Sequence, residues 1–435
     1  MRNRPKTSCQ LFSVALILLI LLASCGKTRE VGWPRWRGPN GDGISTETDW
    51  DPKALADGPK ILWKANVGLG YSNVVIRDNR LYTIGQTKEG VTVFCLNAET
   101  GREIWRHSLG RRDPQSTPTI DGNSVYVLSN KGIICCLNAK NGKLRWRKDL
   151  VSEYDITKPF YGFAASPVIE GDLLILTANT SGIALDKKTG NKVWDSSKPP
   201  KKIRAYWAQQ TSGTDYSTPV VWEYAEKRFA ILSSYEGIHS VEVETGKVLW
   251  LFEWELYSGN NVADPLIFNN KIFIPEFLDV ASPMKSFSGM TGCVLIDIEG
   301  AEPKVLWKNQ NLGSEISSPV MIDGYIYGSH GGPDMGSTSL RCLDVETGKL
   351  TWEKTLGKEV ISLIASDGKL IILEDIGVLR IANATPTAYE EISSCELPAT
   401  KGLNKWWTPP VLYKGKIYCR NYVVDLVCID VSNDS

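Results

Sequence analysis

The sequence predicts an all-β ring, an eight-bladed β-propeller of four-stranded antiparallel blades, and three features carry that expectation: a repeated turn that ends in tryptophan, a repeated Ser-Pro strand, and unequal chain ends that complete one another. Residues 97–105, 138–146, 186–194, 243–250 and 344–352 are near copies of a Thr-Gly or Asn-Gly turn followed by a strand ending in Trp105, Trp146, Trp194, Trp250 and Trp352. Looser versions end in Trp63 and Trp307, and successive tryptophans lie 41 to 57 residues apart. A period of that length is the mark of blades rather than of an irregular sandwich.

Each unit opens on a short strand entered through a Ser-Pro-like step: 116–118, 166–167, 217–219, 264–265, 318–319 and 408–409. Proline is tolerated there because the first residue of a strand needs no ladder donor. A two-residue turn follows, at Asp121-Gly122, Gly171-Asp172, Asn269-Asn270, Asp323-Gly324, Asp367-Gly368 and Lys414-Gly415, and supplies the positive φ of a tight hairpin. The third strand carries Cys-Leu-Asn or Cys-Leu-Asp, and the glycine-containing turn delivers the fourth with its tryptophan. Counting first strands from near Ser72, Thr117, Ser166, Thr218, Asp264, Ser318, Ser362 and Thr408 gives eight units. The last has three strands and then the chain stops, whereas 61–64 is a fourth strand without a preceding three. The strand around Trp63 is therefore expected to complete the last blade, which removes the open edges of the array. The seventh unit is irregular: 381–386 replaces the glycine turn, and Tyr389 stands near where tryptophan is expected.

Trp63, Trp105, Trp146, Trp194, Trp250, Trp307 and Trp352 are read as docking residues between blades, each able to bury on the order of 200 Å². Cys95, Cys136, Cys342 and Cys428 recur at one apolar strand position and read as packing residues. Cys135, Cys293, Cys395 and Cys419 show no disulfide spacing, with Cys419 and Cys428 the one candidate cross-strand pair. The domain expectation is a signal peptide over 1–24, an N-terminal arm over 25–59 and a propeller over 60–431.

The N-terminus argues for export. Arg2, Arg4 and Lys6 precede an apolar run over 11–22 that is too short to span a membrane. It ends in Leu22-Ala23-Ser24-Cys25, which resembles a lipoprotein cleavage site, so Cys25 is expected to become a lipidated first residue. Gly26 at the next position resembles the default for sorting to the outer membrane. With 49 basic and 49 acidic residues the net charge is zero, which argues against nucleic acid as a partner.

The glycine-turn and tryptophan repeat, the ring size and the cleavage site together resemble the PQQ-like (quinoprotein-type) β-propeller family over residues 60–431. Within it, the chain is similar in architecture to BamB-type outer-membrane assembly lipoproteins. That resemblance implies a non-catalytic scaffold binding envelope proteins through its loop faces, held to the membrane by lipid and facing the periplasm, with no catalytic, cofactor or metal residues. The other branch would imply a quinoprotein alcohol or sugar dehydrogenase using PQQ and calcium. For it the chain offers Asp264, Asp215, Arg204, Trp207 and Glu276 near the axis, an incomplete set for a quinone and its metal. Cys135-Cys136 is expected to be an ordinary strand pair, since Cys136 falls on the repeated Cys-Leu-Asn position.

His107, His239 and His330 are isolated from metal-ligand spacing, no nucleophile elbow or P-loop occurs, and the glycines of 330–336 lack a phosphate-loop lysine. The basic run 198–204 reads as a solvated loop. Inserts over 148–162, 196–216, 251–261 and 276–291 carry or border Tyr154, Phe160, Tyr161, Phe163, Tyr206, Trp207, Trp254, Tyr257, Phe277 and Phe287 and mark a candidate binding face. Residues 33–45, with Trp33, Trp36, Arg35 and Arg37 among three glycines, are similar to a signature of exported propellers but suggest no role alone.

Overall fold

The computed structural model describes residues 32–110, 114–159, 161–178, 181–196, 216–234, 237–253, 262–275, 292–299, 302–314, 316–332, 336–398, 405–423 and 425–433. They form an eight-bladed β-propeller of antiparallel four-stranded blades, six of four strands and two extended to five by short strands of the N-terminal arm. Strands are lettered A to D from the axis outward, in chain order. Blade 1 is Val75–Arg77, Arg80–Thr87, Gly90–Asn97 and Glu103–Gly110. Blades 2 to 7 begin with A strands Thr119–Asp121, Val168–Glu170, Val220–Tyr224, Leu266–Phe268, Val320–Ile322 and Ile361–Ser366. Blade 8 is Val411–Leu412, Lys416–Arg420 and Asp425–Asp430, and its D strand is Ile61–Asn66 from the other end of the chain, with Trp63 opposite Cys428.

The A–B hairpins follow two turn chemistries. Both central residues have positive φ at Asp78-Asn79, Ala225-Glu226, Asn269-Asn270, Asp323-Gly324, Asp367-Gly368 and Lys414-Gly415. In blades 2 and 3 only Gly122 and Gly171 do, because there the turns are Gly122-Asn123 and Gly171-Asp172, with glycine alone in the left-handed position. The expected Asp121-Gly122 turn is thus displaced by one residue, since Asp121 still pairs with Ser124.

The C–D glycine has a second task beyond its φ. A Cβ on Gly101, Gly142 or Gly190 would come within 2.6 Å of the ring of Trp63, Trp105 or Trp146, the tryptophan of the preceding blade. Turn and ring are therefore one seam. Each indole N–H crosses to a carbonyl that follows strand C of the next blade: Trp63 to Ala98, Trp105 to Ala139, Trp146 to Lys187, Trp194 to Val243, Trp307 to Val345 and Trp352 to Thr385, at 2.8 to 3.0 Å. The indole N–H of Trp250 finds no acceptor among the described residues.

Blade 7 departs from this rule, and the arm compensates. Where Cys342 faces Trp352 in blade 6, Ile381 faces Ser393 in blade 7, with the same bulge following. Tyr389 therefore does not replace the missing tryptophan; its ring meets Trp352 edge-on at 6.0 Å and its hydroxyl bonds Glu391. The vacant seam is filled from residues 50–55. Trp50 and Leu55 are buried against Ile381, Cys395 and Cys428, and the Ser393 hydroxyl donates to the Pro52 carbonyl at 2.5 Å. The Asp51 N–H takes the Val431 carbonyl at 2.7 Å, the acceptor an eighth indole would have used.

The closing strand has an electrostatic clasp. Burial opposes ionisation of Asp430, but bonds from Lys60, at 2.8 Å, and Ser432 hold its carboxyl down to about 2. A depressed carboxyl stabilises the fold above its unfolded value near 4 and loses that contribution as pH falls towards 2. Asp430→Asn is expected to flatten the acid limb of the pH–stability curve in that window, measured by urea unfolding between pH 2 and 6. An unchanged limb would assign the acid sensitivity to other carboxylates.

All eight described cysteines are free and buried. Cys419 pairs with Val427 while Cys428 pairs with Tyr418, so those two thiols lie on opposite faces of their strands. Cys135 and Cys136 are consecutive on Ile133–Asn138 and enter different inter-blade cores.

Candidate functional site

The propeller axis is where sequence and geometry converge. In blades 2 to 6 the residue before the strand-A proline forms part of a blade-to-blade chain of bonds around the axis, in which a side-chain oxygen accepts the backbone N–H of the preceding blade. Thr117 accepts from Asn73, Ser166 from Thr117, Thr218 from Ser166, Asp264 from Thr218 and Ser318 from Asp264, at 2.7 to 3.1 Å. The Ser-Pro repeat is thereby explained twice. Its proline starts the strand, and its serine or threonine closes the axis.

One face of this axis is plugged by the arm. Gly32–Trp33 pairs antiparallel with Val75–Arg77 of blade 1, and the Pro34 carbonyl accepts Ile120 N–H from blade 2. The Trp36 indole donates to Asp264 Oδ2 at 2.6 Å, and Arg37 Nη2 donates to the Asp42 and Pro319 carbonyls at 2.8 and 2.5 Å. Ile44–Ser45 then pairs parallel with strand A of blade 7, and the Glu47 carboxylate accepts the turn N–H groups of Lys414 and Gly415 in blade 8. The glycines let the arm fold this tightly: a Cβ on Gly38, at φ +81, would strike the Trp33 ring, and one on Gly43, at φ +80, would strike Val320. The structure thus gives the 33–45 signature a role that its composition could not, because the partners of its aromatic and cationic residues are hundreds of positions away.

Asp264 is the acidic member of the otherwise neutral ring, and it is fully buried. Burial raises its pKa, against which Arg37, the Trp36 indole and the Thr218 N–H act. Burial also lowers that of Arg37, opposed by Asp264 and Asp42. The Trp36 bond to Asp264 and the opposed charges of Arg37 and Asp264 tie arm to ring.

Beyond the ring the channel opens as a cavity of about 470 Å³ floored by Trp36 and Arg37. Its walls come largely from one repeat position, two residues before the ring residue, filled by Tyr71, Gln115, Ala164, Tyr216, Val262 and Ile316 in blades 1 to 6. Tyr161 and Trp407 complete it. The Tyr216 hydroxyl accepts the Tyr161 N–H at 3.1 Å, and Tyr71 stacks on Trp407 at 5.3 Å. Sequence reading flagged Tyr161 but missed the wall position, whose identity changes from blade to blade while the ring residue two positions on is serine or threonine in all of blades 2 to 6 but one, Asp264.

Of the five residues expected near the axis, Asp264 is in the ring, with one oxygen on Thr218 and the other on Trp36. Asp215, Arg204, Trp207 and Glu276 lie outside the described residues, as do Cys25, Phe160, Tyr206, Trp254, Tyr257, Phe277, Phe287 and the basic run 198–204. Among the described residues no cluster of three or more His, Cys, Asp or Glu could hold a metal. His330 Nδ1 accepts the Gly313 N–H, with burial lowering its pKa to about 4, and His239 Nε2 lies 2.8 Å from the Ser234 hydroxyl. Tyr154 and Phe163 serve packing: the first bonds the Gly190 carbonyl, the second is buried beneath Gly132.

These features define a class, a closed propeller whose axis is plugged by its own N-terminal arm, beside which the described residues form an aromatic-walled cup. The family model described as outer membrane protein assembly factor BamB matches residues 54–273, half of the chain, and the chain belongs to that family. BamB of Yersinia pestis is 22% identical over 375 residues, covering 82% of this chain and 75% of that one. Among solved structures, BamB from Moraxella catarrhalis superposes with a TM-score of 0.59 at 16% identity, over 85% of this chain and 99% of its own. Quinohemoprotein alcohol dehydrogenase from Comamonas testosteroni gives 0.62 at 13% identity, over 93% and 81%. At such identities these two likenesses show the fold.

Proposed function

We propose that the protein is a non-catalytic propeller lipoprotein of the bacterial envelope, a scaffold for protein contacts in the assembly of outer-membrane proteins. The observation that carries this reading is the axis itself. In quinoprotein chemistry the axis would have to offer a carboxylate and a cation to a ligand, whereas Asp264 gives its two oxygens to Trp36 and Thr218 and Arg37 donates to the Asp42 and Pro319 carbonyls. Membership of the BamB family supplies the direction. Anchoring rests on the apolar leader and Cys25, which would place the ring on the periplasmic side of the outer membrane without a spanning helix.

Three measurements test this. Site-specific photocrosslinking from the cup face in the native envelope is expected to capture components or clients of outer-membrane assembly, and products confined to small-molecule oxidation enzymes would overturn the reading. Calorimetric titration with PQQ and calcium is expected to give no stoichiometric heat and no dye-linked alcohol oxidation; saturable binding with turnover would establish the dehydrogenase instead. Cys25→Ala is expected to abolish incorporation of labelled palmitate and to release the ring from membranes, and retention on the membrane without label would argue for another anchor.

A further inference from the structure

We propose that the open half of the axial channel is a socket for an extended peptide segment that inserts one large aromatic side chain, entering from the face opposite the arm. The proposal rests on the scaffold reading and names the chemistry of the contact.

The first reason is that the other half of the same channel already holds a peptide segment that inserts an aromatic side chain. Gly32–Trp33 lie extended against blade 1, and the turn that follows, closed by the Gly38 N–H on the Arg35 carbonyl at 3.0 Å, places the Trp36 indole N–H on the ring at Asp264 and lets Arg37 donate to the Pro319 carbonyl. The cup is continuous with that interface, since Trp36 and Arg37 are its floor. The second is the composition of the walls. Tyr71 is stacked between Trp407, at 5.3 Å, and Tyr422, at 4.6 Å, while Lys405 covers Trp407 at 4.2 Å. These rings have their faces engaged, so what they offer is edges, which suits edge-to-face contact with an incoming aromatic ring better than the open platform a sugar needs. Ala164 is the small residue of the wall position, and it leaves room beside Tyr161 and Tyr216. The third is the hydrogen-bonding character of the ring. Thr117, Ser166 and Thr218 each accept one N–H, and a hydroxyl that accepts keeps its own hydrogen to donate, which suits the carbonyls of a peptide backbone. A cavity of about 470 Å³ accommodates an aromatic side chain with its flanking backbone.

The test uses the full-length protein in detergent and fluorescein-labelled, end-blocked octapeptides of glycine and serine carrying Trp, Phe or Ala at the fourth position, read by fluorescence anisotropy. The Trp and Phe peptides are expected to bind in the micromolar range and the Ala peptide at least about tenfold more weakly. Ala164→Trp and, from a different blade, Gln115→Trp are expected to fill the cup and weaken the Trp peptide by at least about tenfold, with circular dichroism and melting temperature as in the wild type. Two fillers keep the test valid should one fail to fold. Equal binding of all three peptides, binding undiminished in both fillers, or preferential displacement of the Trp peptide by chitohexaose or maltohexaose would each overturn the proposal. A folded protein that crosslinks its envelope partners yet binds no peptide would overturn the socket and leave the scaffold reading standing; one that binds the Trp peptide through the cup but has no envelope partner would strike the scaffold reading alone.

Discussion

Trp63→Ala is expected to lower stability by about 3–5 kcal/mol, the usual cost of removing a large buried aromatic side chain. Trp63 sits on the strand Ile61–Asn66 that completes blade 8, and across the closing seam it bonds the Ala98 carbonyl at 3.0 Å, packs on Gly101 and tilts against Tyr418 at 5.9 Å. Its loss therefore weakens two attachments together: the docking of blade 8 on blade 1, and the hold of the N-terminal strand on Asp425–Asp430. A seam inside the chain would loosen in the same way but leave its blades covalently consecutive, whereas this one joins the two chain ends. Trp63→Phe keeps much of the ring contact and loses the hydrogen bond, so it should recover all but about 1–2 kcal/mol. Trp250→Ala is the control, because that indole has no acceptor among the described residues and its loss costs packing alone. Urea unfolding of the three variants checks the order, and a Trp63→Ala midpoint no lower than that of Trp250→Ala would show that closure depends on the backbone pairing rather than on the indole.

The repeat made much of this architecture legible because each blade solves the same local problem with the same residues. The Asp-Gly and Asn-Asn turns, the glycine that lets a turn lie on a ring, and the tryptophan that follows are short-range signals. A strand orphaned at Trp63 with three strands left at the other end is a count that one sequence can supply. What could not be read was non-local. Nothing near Ser393 says that a tryptophan is absent at its register, because Tyr389 four residues earlier is the more conspicuous aromatic. Nothing in residues 50–55 says that they fill the gap. The site was legible only in outline: Asp264 stood out as an acid in a Ser-Pro position, but its partners Trp36 and Arg37 are more than two hundred residues away. The cup walls carry no motif, since their one repeat position differs from blade to blade.

That long-range partnership gives the second large effect. Arg37→Ala is expected to cost about 3–5 kcal/mol, because it removes a buried cation that carries two carbonyl bonds and is the charge that most offsets the burial of Asp264. Two parts of that cost can be separated by pH. The Asp42 and Pro319 carbonyls lose their donor whatever the pH. The Asp264 carboxyl, already raised by burial, loses the cation that most opposes that rise, so its pKa in the folded state climbs further. For a carboxyl whose folded pKa is raised, stability is greatest below the unfolded value near 4 and falls as pH rises through the folded value. The Arg37→Ala deficit should therefore be largest near neutral pH and shrink towards pH 4, the reverse of the acid sensitivity expected from Asp430. Adding Asp264→Asn should remove the pH-dependent part, because the amide carries no charge to bury. It keeps an oxygen for the Thr218 N–H while giving up the Trp36 bond, a loss of about 1 kcal/mol. The coupling between the two substitutions, measured as a double-mutant cycle at pH 7 and pH 4.5, should be strong at the first and weak at the second. A pH-independent coupling would mean that Asp264 is held protonated by its burial even in the intact ring, and that Arg37 acts on the axis through its carbonyl bonds alone.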